Sequence, residues 1–435
     1  MRLRRPALTL TGLTVLSIAC QADDSPAHQA ATFVVEDSAG VEIVESAAPA
    51  WDGDGWTVAT GPSVSIGRTS GDERYLFGSV RGAIVLPHGR IAVLDQQAAL
   101  VRVYSPEGVH LEDWGGRGEG PGEFNFPVSL FPYRGDSILV RDLISMGLSV
   151  FDDRGRFGRR TIPPMRAEFV SGLRELLAEG SAIPAESCCH LWGPLSTGAF
   201  LVAYPEMIPT TGSGMQRGSV SVAIIPDSGG AADGVGEFRG GRYMPGPTRA
   251  SPPTTFQFPH WFNMAAGHDG YFVTEGDAYS ISEYDANGRL RRIIRLARGP
   301  RPVTDEVKAA HEARLRERLL APGAPIEGDS PEQVLQRRLD EPYPATLPSF
   351  FQLHADPDGN LWAVQRRYGA GDDGRASGML DYFIFGPDGR HLGVIALPDD
   401  LQVYQIGTDY ILGVVRDELE VQFVHLYGID KGGRS

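Results

Sequence analysis

Seven residues of this 435-residue chain carry chemistry-capable side chains at related depths of a repeated unit: Arg81, Asn125, His190, His260, Ser349, His354 and Asp399. Imidazoles and a carboxylate are metal donors. Catalytic zinc takes three N, S or carboxylate ligands and keeps one position open, whereas calcium takes six or more oxygens. No two of His190, His260, His354 and Asp399 share a tight motif, and neither HExxH nor paired CxxC occurs. A G-x-S-x-G nucleophile elbow is also missing, since Gly193-Pro194-Leu195-Ser196 breaks it. The acid pair Asp372-Asp373 lies in the Gly-rich stretch Gly369 to Gly378 and reads as solvated. The run His260-Trp261-Phe262 reads as core before it reads as a stacking platform. Two functions remain. The first is a polar binding surface for a protein, peptide or glycan, with no catalysis and no cofactor. The alternative is a metal-dependent hydrolase or lyase holding calcium or zinc.

The elements that would position these residues are strands. Gly and Pro number 54 and 32, too many for a mainly helical body, while 42% hydrophobic residues suffice for a large core. One unit recurs: a Gly turn, a strand of alternating apolar residues, a second strand, and a closing x-x-x-Gly corner. Its clearest copy is His88 to Gly108, followed by Arg134 to Gly155, His268 to Gly288 and Pro357 to Gly389. Weaker copies are Ser196 to Pro205 and Thr408 to Gly428. The turn positions Gly89, Gly135, Gly198, Gly270, Gly359 and Asp409 are spaced from 46 to 89 residues apart. The shorter spacings suit one four-stranded propeller blade of roughly 40–50 residues, and the longer ones leave room for insertions. Six units predict an all-β, six-bladed propeller over residues 33–430, with a complete seventh blade as the alternative.

Counting back from each turn aligns the innermost strands. Ten residues before lie Ser79, Asn125, Cys188, His260, Ser349 and Asp399, and eight before lie Arg81, Pro127, His190, Phe262, Phe351 and Leu401. The first ring is polar in five members. It either faces water in an axial channel or caps backbone groups. The strands Phe33–Glu36, Val41–Val44, Trp56–Val58 and Val64–Ile66 have no unit of their own. They are expected to complete the last blade, because an open propeller leaves sheet edges unpaired.

One insertion is helical. Thr304 to Leu320 places Val307, Ala310, Leu315 and Leu319 near one face, and Ser330-Pro331-Glu332-Gln333 is a capping box opening a second helix through Leu339. The insertion, residues 302–345, reads either as a lid or docking element or as a hairpin packed on the blade sides. A third helix is expected from Glu168 to Ala178.

The N-terminus supplies an address. Arg2, Arg4 and Arg5 precede the apolar stretch Ala7 to Ala19, too short for a bilayer span and suited to a signal peptide. Residues Leu16 to Cys20 resemble a bacterial lipobox, although Ser17 stands where that family prefers Leu. The resemblance implies lipidation at Cys20, and Gln21 implies the outer membrane; an ordinary secretory peptide is the other reading. Residues 21–32 then form a tether. Net charge is −15 and becomes −18 without residues 1–20, which opposes binding to nucleic acid or to anionic lipid head groups. Membrane attachment is therefore expected through the lipid alone. Cys188 and Cys189 are adjacent and read as buried thiols or a vicinal disulfide.

Trp114 to Pro127, with Gly115, Gly116, Gly118, Gly120, Pro121, Gly122, Glu123 and Phe124, and the upstream run Gly89 to Asp95 resemble the NHL-type repeat. Phe-Pro and strand follow this Gly-rich loop, where a phosphate cradle would need a helix N-terminus. With Asp37 to Glu45 and the Trp56 to Gly67 strand pair, the chain resembles six-bladed propellers of exported bacterial lipoproteins. That resemblance implies a fold and no particular activity. Related six-bladed lactonases and amidating lyases hold calcium or zinc on the axis, which gives the metal alternative its place.

Overall fold

The computed structural model describes residues 32–51, 55–145, 147–161, 190–204, 214–228, 233–246, 253–321, 330–368 and 378–432. Cys20 and the lipobox, Cys188-Cys189, the helix expected over 168–178 and Asp372-Asp373 lie outside them.

The described residues form six sheets, numbered here as blades 1 to 6 in chain order. Blade 1 runs antiparallel through Val80–Val85, Ile91–Asp95, Leu100–Tyr104 and His110–Gly115. Blade 2 repeats the meander from Pro127–Pro132 through Ile138–Asp142 and Leu148–Phe151 to Phe157–Thr161. Blades 3, 4, 5 and 6 begin with inner strands His190–Pro194, Asn263–Ala266, Gln352–Ala355 and Gln402–Ile406.

Packing between the blades closes the ring. Second strands are apolar on both faces because each faces two neighbours. Ala92 and Leu94 pack toward Leu130, Ile138 and Val140 of blade 2, while Ile91 and Val93 pack toward Leu412 and Val414 of blade 6. The same arrangement recurs around the circle, with one apolar cluster between each successive pair of blades. An all-β propeller follows from this topology.

Corners of the type D-x-x-G link strands as their chemistry requires. Asp152, Asp285 and Asp356 accept backbone N–H groups two or four residues onward, and Gly155, Gly288 and Gly359 take φ of +74°, +82° and +82°.

The N-terminal strands divide between two blades. Val64–Ile66 and Thr57–Val58 pair antiparallel with Gln422–Asp430 and complete blade 6, as expected. The hairpin Phe33–Ser38 and Val41–Ser46 does not join them. It extends blade 4, with Val41–Ser46 parallel to Leu290–Leu296 and Ile43 opposite Ile293. The reason is local: Val64–Ile66 and Thr57–Val58 already occupy the edge of blade 6, while Arg292 on blade 4 bonds both Glu42 and Glu283. Between the two blades the chain bonds blade 5, through Ala50 N–H to the His391 carbonyl and Trp51 N–H to that of Leu392.

The helices form where the caps predict. Helix α1, Asp305–Leu319, starts at Thr304, and α2, Pro331–Leu339, starts at the Ser330–Gln333 capping box. Of the expected apolar face of α1 only Val307 and Leu315 are buried. No helix among the described residues is long and apolar enough to cross a membrane.

Candidate functional site

All six inner strands begin on the same side of the ring, here the inlet face. In each blade the link between second and third strands lies there too, and so does the insertion between blades 4 and 5. Residues opening the inner strands are polar and accessible in several blades: Arg81, His190 and Gln402 are exposed, and Asn263 and Gln352 are half-buried. Two of these residues tie inner strands to their surroundings. Arg81 Nε donates to Gln96 Oε1 (3.1 Å), and Asn263 Oδ1 accepts the Leu353 N–H (2.8 Å).

At two positions of the ring ten residues before each turn, Ser79 and Asn125, a carboxylate holds the backbone. Asp95, 1% exposed, accepts the N–H groups of Gly78, Ser79, Gln97 and Ala98. Asp142 takes those of Asn125, Phe126 and Ser145 at 2.7–2.8 Å. Each carboxylate thus pins an inner-strand start to the following turn. Thr274 and Gln365 stand near the corresponding ends of the blade 4 and 5 second strands, bonding Gly276 N–H and the Ser349 carbonyl. These residues escaped the ring count, although Asp95 closes the run Gly89 to Asp95 that carries the repeat.

Of the predicted residues, the structure brings His260 and Ser349 to one place, the turn Gly276–Ala278. Ser349 donates its hydroxyl to the Ala278 carbonyl (2.6 Å) and its N–H to that of Gly276 (2.9 Å). His260 is 1% exposed, and its Nε2 has no hydrogen-bond partner among the described residues. Burial first, then the positive charge of Arg242, lowers its pKa to about 4, and a backbone bond to Leu347 only partly opposes this. Its imidazole is neutral at pH 7. Beside it Asp277 receives Arg217 (2.5 Å) and Arg242 (2.8 Å).

The other predicted residues stay apart. His190 lies against Trp192 (4.9 Å), and burial of its ring, with the nearby Arg141, lowers its pKa to about 4. His354 stacks over Tyr382 (6.3 Å), with Nε2 buried and without a partner among the described residues, and burial lowers its pKa to about 4. Asp399 is exposed and pairs with Arg366 (3.6 Å). Asn125 is half-buried, held through its N–H. Among the described residues no three His, Cys, Asp or Glu side chains could share a metal ion.

The insertion leaves and returns at one point, where Pro302 bridges Thr346 and the Leu347 N–H bonds the Arg301 carbonyl. Phe258, on the linker into blade 4, anchors it. The Phe258 ring meets His311 (4.6 Å), Tyr343 (5.6 Å) and Tyr368 (4.5 Å), and Val307 and Leu347 complete this small core. Gln257 Oε1 accepts from His311 Nε2 (2.7 Å), and Gln257 Nε2 donates to the Arg338 carbonyl. The helices are therefore docked on linkers of the inlet face.

The sequence matches no family model and no curated protein. Among solved structures it is similar to a member of the DUF4221 family from Bacteroides vulgatus, at 9% identity over 87% of this chain and 99% of that one (TM-score 0.44). It is also similar to virginiamycin B lyase from Staphylococcus aureus, at 9% identity over 86% and 99% (TM-score 0.36). A third is regucalcin, a calcium-binding protein from Agrobacterium tumefaciens, at 10% identity over 82% and 93% (TM-score 0.37). Likeness at this level says nothing of function, and the propeller rests on the sheets of this chain.

Proposed function

We infer that this chain is an exported propeller, held to the cell envelope by a lipid on Cys20, that binds a protein, peptide or glycan at its inlet face. One observation carries the reading: an insertion closed by its own stalk is docked on the face where the polar inner-strand starts gather. Propellers use such a face for ligands because it is concave and built from loops that a rigid scaffold positions. The groups there hold backbone or one another, and His260 is neutral, which suits recognition. The acidic balance leaves the lipid as the membrane contact, in the outer membrane on the reading of Gln21, and opposes nucleic acid.

The anchor is tested directly. Cys20→Ala protein is expected to leave the membrane fraction for the soluble one, and a variant that stays there sinks the lipid anchor.

Binding and the metal-dependent alternative separate in one experiment. Replacing residues 302–345 by a short Gly-Ser linker is sterically mild, because Arg301 and Leu347 already bond each other. On peptide and glycan arrays the full chain is expected to retain ligands that the linker variant loses at least about tenfold. Elemental analysis of the same full-chain sample is expected to show no stoichiometric metal. Calcium or zinc at one per chain, lost with His190→Ala or His260→Ala, would replace the binding reading by a hydrolase or lyase.

A further inference from the structure

We propose that the cleft between blades 3 and 4 binds an oxyanion, a carboxylate or sulfate carried on a single sugar-sized ring. The cleft has a volume of 510 Å³ and lies between Phe238 and Arg239 of the outer strand of blade 3 and one face of blade 4. That volume falls in the range of small-molecule sites and exceeds the need of a bare anion.

Its charge is unlike that of the rest of the molecule. In a chain of net charge −15, three arginines line the cleft, Arg239, Arg295 and Arg298, and Arg217 and Arg242 stand behind Asp277 on its rim. Two carboxylates face these five guanidiniums, Glu275 and Asp277. Arg239 pairs with Glu275 (2.6 Å), so that carboxylate is taken, and Asp277 is shared by Arg217 and Arg242.

Arg295 and Arg298 have no ion-pair partner among the described residues. Arg298 stands over the Tyr279 ring (3.7 Å) and donates to Gln365 Oε1 (3.5 Å), which orients its guanidinium without neutralising it. Arg295 is half-buried on the strand Leu290–Leu296, opposite Ser280 in register, and its side chain makes no hydrogen bond among the described residues. Glu45 is its register neighbour on the added strand, but that side chain is exposed and forms no ion pair with it.

Partly buried guanidinium without a carboxylate is costly to keep, and a planar or tetrahedral oxyanion satisfies it by paired hydrogen bonds. Ser280 and Ser282 line the cleft beside Arg295 and can add hydroxyl donors. Phe238 and Tyr284, whose rings meet edge to face at 5.9 Å, supply an apolar wall for the ring that carries the anion. The cleft shares the turn Gly276–Ala278 with the inlet-face residues described above, and binding in it is read on the full chain with no change to the insertion, so its failure is told apart from failure of the binding proposed above.

Titration calorimetry on the full chain at constant ionic strength tests this with three probes: sodium glucuronate, glucose 6-sulfate and glucose. At least one anionic sugar is expected to bind, with glucose at least about tenfold weaker, and the better of the two identifies carboxylate or sulfate. Arg295→Gln is expected to weaken that binding about tenfold or more, while Arg291→Gln, exposed on the same strand and outside the cleft, leaves it unchanged. If Arg295→Gln lowers the melting temperature, Arg298→Gln at the rim is expected to give the same loss. The proposal is overturned if neither anion binds, if glucose binds equally well, or if Arg295→Gln and Arg298→Gln both bind like the unmodified chain.

Discussion

Acidification from pH 7 to about pH 4 is expected to remove most of this propeller's stability. Three well-covered histidines, His260, His354 and His391, are each held at about 4, against an ordinary value of 6.5. Burial is the first cause in every case, since it penalises the imidazolium. At His260 the Arg242 charge adds to it, and at His391 a bond to the Gly393 carbonyl opposes it. The folded state keeps these rings neutral while the unfolded chain takes up protons near 6.5. Their stabilising effect is therefore complete above that value, declines as pH falls from 6.5 through 4, and levels off below.

Each such ring contributes on the order of 3 kcal/mol, and three together approach the whole stability of an ordinary domain, about 5–15 kcal/mol. Glu283 works in the opposite sense, because burial raises its pKa and protonation relieves it, but it is a single group. Urea unfolding at pH 7, about 5.5 and about 4.5 should show the midpoint falling steadily. His354→Leu, beside Tyr382, should lessen the pH slope by about one proton. Equal stability at pH 7 and about 4.5 would refute this account.

The second large effect concerns Asp95. Replacing it with Ala leaves the N–H groups of Gly78, Ser79, Gln97 and Ala98 without their acceptor, and strands Arg102, which stands 3.6 Å from the carboxylate. Loss of a buried, hydrogen-bonded charge costs about 3–5 kcal/mol. Asp95→Asn keeps one acceptor oxygen and should lose roughly half as much, and Asp142→Ala should resemble Asp95→Ala with three N–H groups released. Denaturant midpoints for the three variants test the order. An Asp95→Ala protein as stable as the parent would mean that water replaces the carboxylate, and that this turn does not hold the inner strand.

Much of the fold was legible because it is encoded over a few residues. Alternation in Ile91 to Asp95 and Leu100 to Tyr104 marked strands, the D-x-x-G corners marked their joins, and the Ser330–Gln333 box marked a helix start. The polar ring is legible as a set of positions, and at two of them it is the backbone that makes the contact. At Ser79 and Asn125 the carboxylates of Asp95 and Asp142 engage the backbone N–H, a contact made across 16 or 17 residues that no spacing rule reports. The Phe33–Ser46 hairpin was recognised as strand and assigned to the wrong blade, because pairing between residues 43 and 293 is chosen by which edge remains open.

What the sequence determined by itself is the class of structure: strand periods, turn residues, helix caps and an acidic balance act within short segments and survive without a partner. What only the tertiary structure decided is which of those segments meet. Arg239, Glu275, Asp277, Arg295 and Arg298 are ordinary surface residues along the chain, and they become a cationic cleft only when blades 3 and 4 stand side by side. His260 becomes a neutral imidazole, its Nε2 without a partner among the described residues, only when its neighbours in the fold exclude water from it. Desolvation and through-space charge depend on distance in the fold, and sequence separation does not carry that distance.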